Sequence, residues 1–349
     1  MRSASWRLAS RHRKRLTVAR RALAVALVVV AIACAIPILR RASAPPVIDG
    51  AAPAVVVRVL DVGQGDATYV RNGPSRVLID GGPDSGRLGE LLDSLGVNGT
   101  TIDAVILSHA HADHYAGLAA LFESRRHIHV RAFIENEDAS PSTTLRALRD
   151  SVRARVERDG LDYRDSDDPC GTGAPVCTIA LAGGAELRVM RPPDAEGTTA
   201  SANDRSTLVK LVAPESSLAM WLAGDAEHAE IADAERAGYA RDPGMQVDVL
   251  KADHHGSCNG VTARYLALTH PAWAIISVGA ANDYGHVHRQ AKEMLRAAGI
   301  PWYRTDRNGT ITISTSGVAG DGYTVVPSRG GVDLDGASDR RSRQPDCVG

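Results

Sequence analysis

Ser108-His109-Ala110-His111-Ala112-Asp113-His114 packs three imidazoles and a carboxylate into one short run, directly after the apolar stretch Ala104-Val105-Ile106-Leu107. A strand ending there delivers metal ligands into a loop. His109 and His111 alternate in extended chain, and a turn into a helix at Asp113-His114 makes the donors diverge, so one pair can hold one ion and the other pair a second. The chemistry this suggests is hydrolysis, because a bound divalent metal lowers the pKa of its water toward ~7 and polarises the bond under attack.

Other stretches offer partners. Trp221-Leu222-Ala223-Gly224-Asp225 puts a carboxylate at a second strand end, where it can bridge two ions and also cap the following helix. Lys251-Ala252-Asp253-His254-His255-Gly256-Ser257 supplies a histidine pair. One of the two is expected as a ligand, assigned to His254, and the other, His255, is expected either to support a ligand from behind or to face a phosphate. Lys251 would contribute if its ammonium faced the cleft. Leu78-Ile79-Asp80-Gly81-Gly82 is another strand-end carboxylate, and Asp80 is expected to orient a ligand imidazole from behind. Asp61-Val62-Gly63-Gln64-Gly65-Asp66 is a glycine-rich turn that brings Asp66 to the same side. Tyr284-Gly285-His286-Val287-His288 carries a histidine able to protonate a leaving group or steady an oxyanion, with His286 preferred. His12, His127, His129, His228 and His270 sit in no motif.

The positioning elements follow from hydrophobic periodicity. Strands are expected at Val55–Val62, Ala67–Arg71, Arg76–Asp80, Ala104–Leu107, His129–Glu135, Glu186–Met190, Thr207–Val212, Leu218–Leu222, Val247–Leu250, Ala272–Ser277, Ile311–Ser314 and Tyr323–Val326. Helices are expected at Arg87–Leu95, His114–Phe122, Ser142–Arg158, Ala226–Ala237, Val261–Leu268 and Gln290–Ala298, with a polar excursion at 159–177. So many strands exceed what one helix-flanked parallel sheet uses, and two sheets packed together with helices outside fit better.

The chain has 349 residues and a net charge of -1, which hides an asymmetry. Residues 1–44 hold ten of the forty Lys and Arg and no acid, leaving 30 basic against 41 acidic residues in the remainder. That balance argues against a broad basic groove for nucleic acid. Ala22 to Leu39 is uncharged and, as a helix, just long enough to span a bilayer. The basic residues before it favour a cytoplasmic N-terminus and an exported remainder. A signal anchor is preferred; a cleaved signal peptide ending near Ala44 and a lipoprotein Cys34 are alternatives. The expected organisation is a basic cytoplasmic stretch (1–21), a transmembrane or signal-anchor helix (22–39), a linker (40–54), the folded domain (55–327) and a disordered tail (328–349). Four cysteines lie beyond the apolar segment. Cys170 and Cys177 flank a turn-rich loop and suit a local disulfide, leaving Cys258 with Cys347.

Together these motifs resemble the metallo-β-lactamase-fold hydrolases. His109-Ala-His111-Ala-Asp113-His114, Asp80, Asp225 and His254 carry the general resemblance. The chain is more narrowly similar to the hydrolase domain of ComEC-like DNA-internalisation competence proteins, through Asp61-Val-Gly-Gln-Gly-Asp66, Ser206-Thr207-Leu208, Leu222-Ala-Gly-Asp225, His254-His255-Gly-Ser257, Ser277-Val-Gly279 and Tyr284-Gly285-His286. The resemblance implies an α/β fold, an αββα sandwich, with His109, His111, Asp113, His114, Asp225 and His254 holding one or two divalent ions, Zn²⁺ or Mn²⁺. Asp113, Lys251, His255 and His286 would serve catalysis, and Asp66 and Asp80 would support from behind.

The chain departs from its relatives in two ways. It has one apolar segment where competence proteins have a multi-helix channel, so DNA transport is not implied. Residues 130–224 also contain no histidine, where many of these enzymes supply another ligand, so the first ion would be held by fewer imidazoles. The expected activity is an extracytoplasmic, membrane-tethered or secreted phosphodiesterase or nuclease using metal-activated hydroxide, acting on DNA or an envelope polymer, with no obligate protein partner. The alternatives are a lactone or β-lactam hydrolase and an exported binding module with a structural metal.

Overall fold

The structure is a computed structural model that describes residues 54–136, 140–192, 201–280, 282–330 and Cys347. The segment Ala22–Leu39, most of the expected linker and nearly all of the expected tail lie outside the described residues. Among the described residues no helix is long and apolar enough to cross a membrane.

Alternating burial along Val55–Val59 (every second side chain inside) is the pattern of a strand with one face on a core. Two large sheets are built this way. The eight-stranded sheet runs, edge to edge, Tyr323–Pro327, Ile311–Thr315, Val55–Val59, Thr68–Asn72, Ser75–Ile79, Ala104–Ile106, Ala132–Glu135, Asp162–Asp165. The seven-stranded sheet runs Trp302–Arg304, Trp273–Ile276, Val249–Lys251, Ala219–Leu222, Leu208–Val212, Glu186–Met190, Val176–Ala180. In each, one half is antiparallel and the other parallel: Ser75–Ile79 to Asp162–Asp165 in the first sheet, Ala219–Leu222 to Trp302–Arg304 in the second.

Three apolar layers show how the sheets stack. Val57, Val77 and Ile79 of one sheet meet Leu187, Val209, Leu211 and Met220 of the other in a central core. The intervening residues point outward, where Leu78, Val105 and Phe133 pack on Leu88, Leu92, Leu118 and Leu148, and Trp221, Leu250 and Ile276 pack on Ile231, Leu266 and Leu295. The order is helices, sheet, sheet, helices, the α/β sandwich expected from the strand count. Helix starts are set by local chemistry: Asp84, Ser142 and Thr262 accept from the backbone N–H three residues on, at 2.7, 3.2 and 3.1 Å, each cap contributing about 1 kcal/mol.

Several elements differ from the periodicity reading. Only Ala112–Tyr115 is α-helical after the histidine run, and Ala116–Phe122 continues in tighter 3₁₀ turns. His129–Glu135 splits, with His129–Val130 pairing Thr101–Ile102 in a separate two-stranded sheet. The polar excursion at 159–177 hides the edge strand Asp162–Asp165, whose water-facing residues carry no apolar alternation, and the start of Val176–Ala180. Trp302–Arg304 is a further strand that the periodicity does not show, specified by its pairing with Trp273–Ile276. Ser328 and Arg329 belong to the folded domain rather than to a tail: their N–H groups donate to Thr310 and Asn308 carbonyls at 2.9 and 3.0 Å. Cys170–Cys177 and Cys258–Cys347 are disulfides, as expected.

Candidate metal centre

The donors emerge at the carboxyl ends of the parallel strands, where backbone stops pairing and loops turn inward from both sheets. Ser75–Ile79 leads to Asp80, Ala104–Ile106 to Ser108–His114, Ala219–Leu222 to Asp225, and Val249–Lys251 to His254–His255. Asp113, His114, Asp225 and His255 each offer one ligand atom within a common 4.8 Å, and His109, His111 and Asp225 form a second such group. Asp225 belongs to both.

Each imidazole of the first group is oriented from behind. His114 Nδ1 lies 2.8 Å from Asp80 Oδ2 and its Nε2 3.2 Å from Asp225 Oδ1. His255 Nδ1 lies 3.1 Å from the Ser277 carbonyl, a pure acceptor, so it carries the proton and Nε2 turns to Asp113 Oδ2 and Asp225 Oδ2 at 3.1 and 3.4 Å. This is the arrangement by which ligand histidines are fixed in tautomer and direction. The second group is looser. His109 is buried, its Nδ1 3.0 Å from Ser108 Oγ, but its Nε2 faces His111 Nδ1 at 3.0 Å and Asp225 Oδ2 only at 3.9 Å; His111 is exposed.

The electrostatics match a cation-binding cluster. Burial works against the charge on His114 and His255, yet Asp225 and their other carboxylate neighbours outweigh it and hold both well above the ordinary imidazole range. Burial would likewise raise Asp225, but His255 and His114 keep it well below the usual carboxylate range. Burial, reinforced by neighbouring imidazoles, drives His109 well down and His286 to about 2. His114 Nε2 and Asp225 Oδ1 are buried and, though 3.2 Å apart, do not meet in hydrogen-bond geometry and have no other partner. Orphaned nitrogen and oxygen donors aimed into one space fit a divalent ion.

Two glycines permit these approaches. A side chain at Gly65 (φ +144) would strike the Asp113 carbonyl, to which Asp66 N donates at 3.1 Å. One at Gly224 (φ +55) would meet Ser108 Cβ at 2.7 Å. The Asp61–Asp66 turn is therefore a brace beneath Asp113.

His255, and not His254, joins the four-donor group. Both take left-handed backbone, φ 48 and 54, so consecutive side chains leave the strand end in directions that extended alternation does not anticipate. His255, expected behind a ligand or facing a phosphate, stands in the four-donor group. His254, expected as a ligand, is in neither group: its Nδ1 pairs with Glu227 Oε1 at 3.1 Å and its Nε2 is 3.9 Å from Asp225 Oδ2. Lys251 is also corrected. It is buried, ion-paired with Asp66 and donating to the Ala252 carbonyl at 2.9 Å, so its ammonium does not face the cleft. Although burial would raise Asp66, Lys251 keeps it down at about 2. Asp66 and Asp80 both stand behind the donors, Asp66 Oδ1 3.4 Å from His255 Nδ1.

His111, Asp113, Asp225 and His255 floor a cleft of about 690 Å³ bordered by Gln64, Asn203, His254, Asn282, Tyr284 and His286. His286 lies between His254 and His255, ring centres 5.2 and 5.9 Å away. Glu227, the Ser277 carbonyl and Asn282 escaped the sequence reading; Glu227 had a signal, lying two residues after Asp225 at the start of a helix.

Comparison with known proteins agrees with this geometry. The family model described as the metallo-beta-lactamase superfamily matches residues 60–183, which contain Asp66, Asp80 and the whole histidine run. ComE operon protein 3 of Bacillus subtilis is 29% identical over 281 residues, covering 73% of this chain and 32% of the relative. Competence protein ComA of Neisseria gonorrhoeae is 25% identical over 272 residues, covering 73% and 31%. The narrower similarity to ComEC-like proteins thus stands beside the metallo-β-lactamase one, and the chain spans about a third of the length of these curated relatives. Among solved structures, the metallo-beta-lactamase fold protein YhfI of Bacillus subtilis aligns with a TM-score of 0.48 at 12% identity, covering 74% of this chain and 99% of that one. The short form of human tRNase Z aligns with a TM-score of 0.38 at 15% identity, covering 63% and 91%.

Proposed function

We propose that this metallo-β-lactamase-type domain is a metal-dependent hydrolase of phosphodiesters, working outside the cytoplasm. The observation that carries the reading is the pair of donor groups sharing Asp225 on the floor of an open cleft, an arrangement suited to a site that must admit a substrate. The mixture of imidazole nitrogen and carboxylate oxygen suits Zn²⁺ or Mn²⁺. Bound there, the ions supply Lewis-acid polarisation and a water acidified toward neutral pH.

The chain's own residues orient and exclude. Asp80 and the Ser277 carbonyl aim His114 and His255, and Asp113 and Asp225 supply the negative charge that holds cations. His254, steadied by Glu227, and His286 border the space in which a phosphoryl group would gain charge. The cleft wall is polar, as a phosphodiester requires. A short single strand of DNA or an envelope phosphodiester matches it better than duplex DNA, because no Lys or Arg is among its described lining residues. The basic N-terminus, the apolar segment after it and two disulfides support an exported location and a membrane tether.

The test uses the full chain loaded with Zn²⁺ or Mn²⁺ and offers single-stranded DNA, a bis-aryl phosphodiester, a lactone and a chromogenic β-lactam. Cleavage of the diesters is expected, and its loss in His111→Ala and Asp113→Ala with unchanged circular dichroism. Retained activity in both variants, or turnover of the lactone or β-lactam alone, overturns the reading.

A further inference from the structure

Tyr284 is a large apolar side chain left in water at the edge of this cleft. It is 64% exposed, while the rest of the exposed large apolar set among the described residues is valine. Its ring lies 22° from the His286 plane with centres 5.7 Å apart, an offset stack that leaves most of the ring in water. The loop that presents it is fixed from within. Asn282 Nδ2 donates to the Gly279 and His286 carbonyls at 2.9 and 2.7 Å, and Asn282 Oδ1 accepts from His286 N at 2.9 Å. Gly279 N donates to Gln64 Oε1 at 3.0 Å, tying the loop to the turn beneath Asp113. An aromatic ring held this way binds a second ring without first being ordered.

We propose that Tyr284 is a stacking platform for an unpaired base flanking the scissile phosphate, and hence the residue by which this site selects single-stranded nucleic acid over a saturated phosphodiester polymer. This rests on the phosphodiesterase reading and adds to it a specificity-determining residue. The ring stands beyond His286, itself 5.9 Å from His255, so the base it holds belongs to a neighbouring nucleotide rather than to the reacting one. With no Lys or Arg among the described residues lining the cleft, stacking replaces backbone charge contacts as the source of affinity. A glycerol- or sugar-phosphate chain has no π face to offer. Stacking on one aromatic side chain changes affinity roughly ten-fold per base.

The experiment compares two probes on the full chain by fluorescence anisotropy, a readout independent of turnover. One is a short labelled thymidine oligonucleotide and the other the same strand made abasic; unlabelled poly(glycerol phosphate) serves as competitor. The wild type should bind the base-bearing strand about ten-fold more tightly. Tyr284→Ala should erase that difference by weakening the base-bearing strand, Tyr284→Phe should keep it, and the polymer should compete poorly. Equal binding of both strands by the wild type overturns the proposal. So does an equal loss for both strands in Tyr284→Ala, which would mark a loop-building role, or competition by the polymer as strong as by DNA. If the preference for bases holds while the loaded protein cleaves no diester, the hydrolytic reading falls and the platform stands.

Discussion

Asp113, His114, Asp225 and His255 are held from behind, whereas His109 and His111 lean largely on each other. His114 rests on Asp80, and His255 on the Ser277 carbonyl and the Asp66–Lys251 pair. Behind His109 there is Ser108 Oγ, and His111 reaches into solvent. The four-donor group draws on both sheets and is nearly sealed, and the three-donor group borrows Asp225 to complete itself. Residues 130–224 contain no histidine that could add a donor to the open group. The difference teaches that two similar-looking donor sets in one cleft need not bind alike: preorganisation, more than donor count, separates them.

The largest effect should come from the shared residue. Asp225→Ala removes a donor from both groups, and we expect loss of both ions by metal analysis and a fall in diester hydrolysis of about a thousand-fold. Retention of either ion would mean that the groups are independent. Lys251→Met leaves Asp66 buried without its counter-charge and should cost about 3–5 kcal/mol in urea unfolding, as expected of an internal ion pair and not of a catalytic amine. Asp80→Asn should weaken the more tightly held ion about 10–100-fold in a competitive chelator titration while sparing the weaker one. His111→Ala should do the reverse, reducing stoichiometry from two ions to one and leaving the tight binding curve in place; loss of the tight ion instead would break the comparison.

The smallest effect is a pH dependence. Burial, with Asp204 nearby, raises Glu230 well above the usual range, and its carboxylate accepts from Ser206 N, whose Oγ accepts from Asp225 N at 3.3 Å. An acid raised on folding favours the native state below its unfolded pKa, and that stability is lost as pH rises toward the folded value. Glu230→Gln should therefore flatten the decline in Tm between acidic and neutral pH. An unchanged slope would remove Glu230 from the support of Asp225.

The legible part of this centre was the part written contiguously. The run His109 to His114 follows a buried strand directly, so local spacing displays the donors, and Asp80 and Asp225 stand alone at ends of apolar runs. What stayed hidden depends on backbone hand or on distance. Two left-handed residues in succession bring His255 rather than His254 among the donors, and no periodicity argument contains that information. Lys251 reads as a cleft cation until Asp66, far away in sequence, is seen to neutralise it. The same holds for the fold. Long apolar strands declared themselves, whereas the polar edge strand Asp162–Asp165 and the three-residue strand Trp302–Arg304 are specified by their neighbours in the sheet and not by their own composition.

Asp113 and His114 come from one sheet and Asp225 and His255 from the other, and His255 follows Asp113 by 142 positions. An ion at these donors is thus a rivet through two plates. The four-donor group is complete only where the loops of both sheets meet. The identity of the ion then reflects the supply in whichever compartment the chain folds, and stripping it should loosen the seam between the sheets before it disturbs either sheet itself.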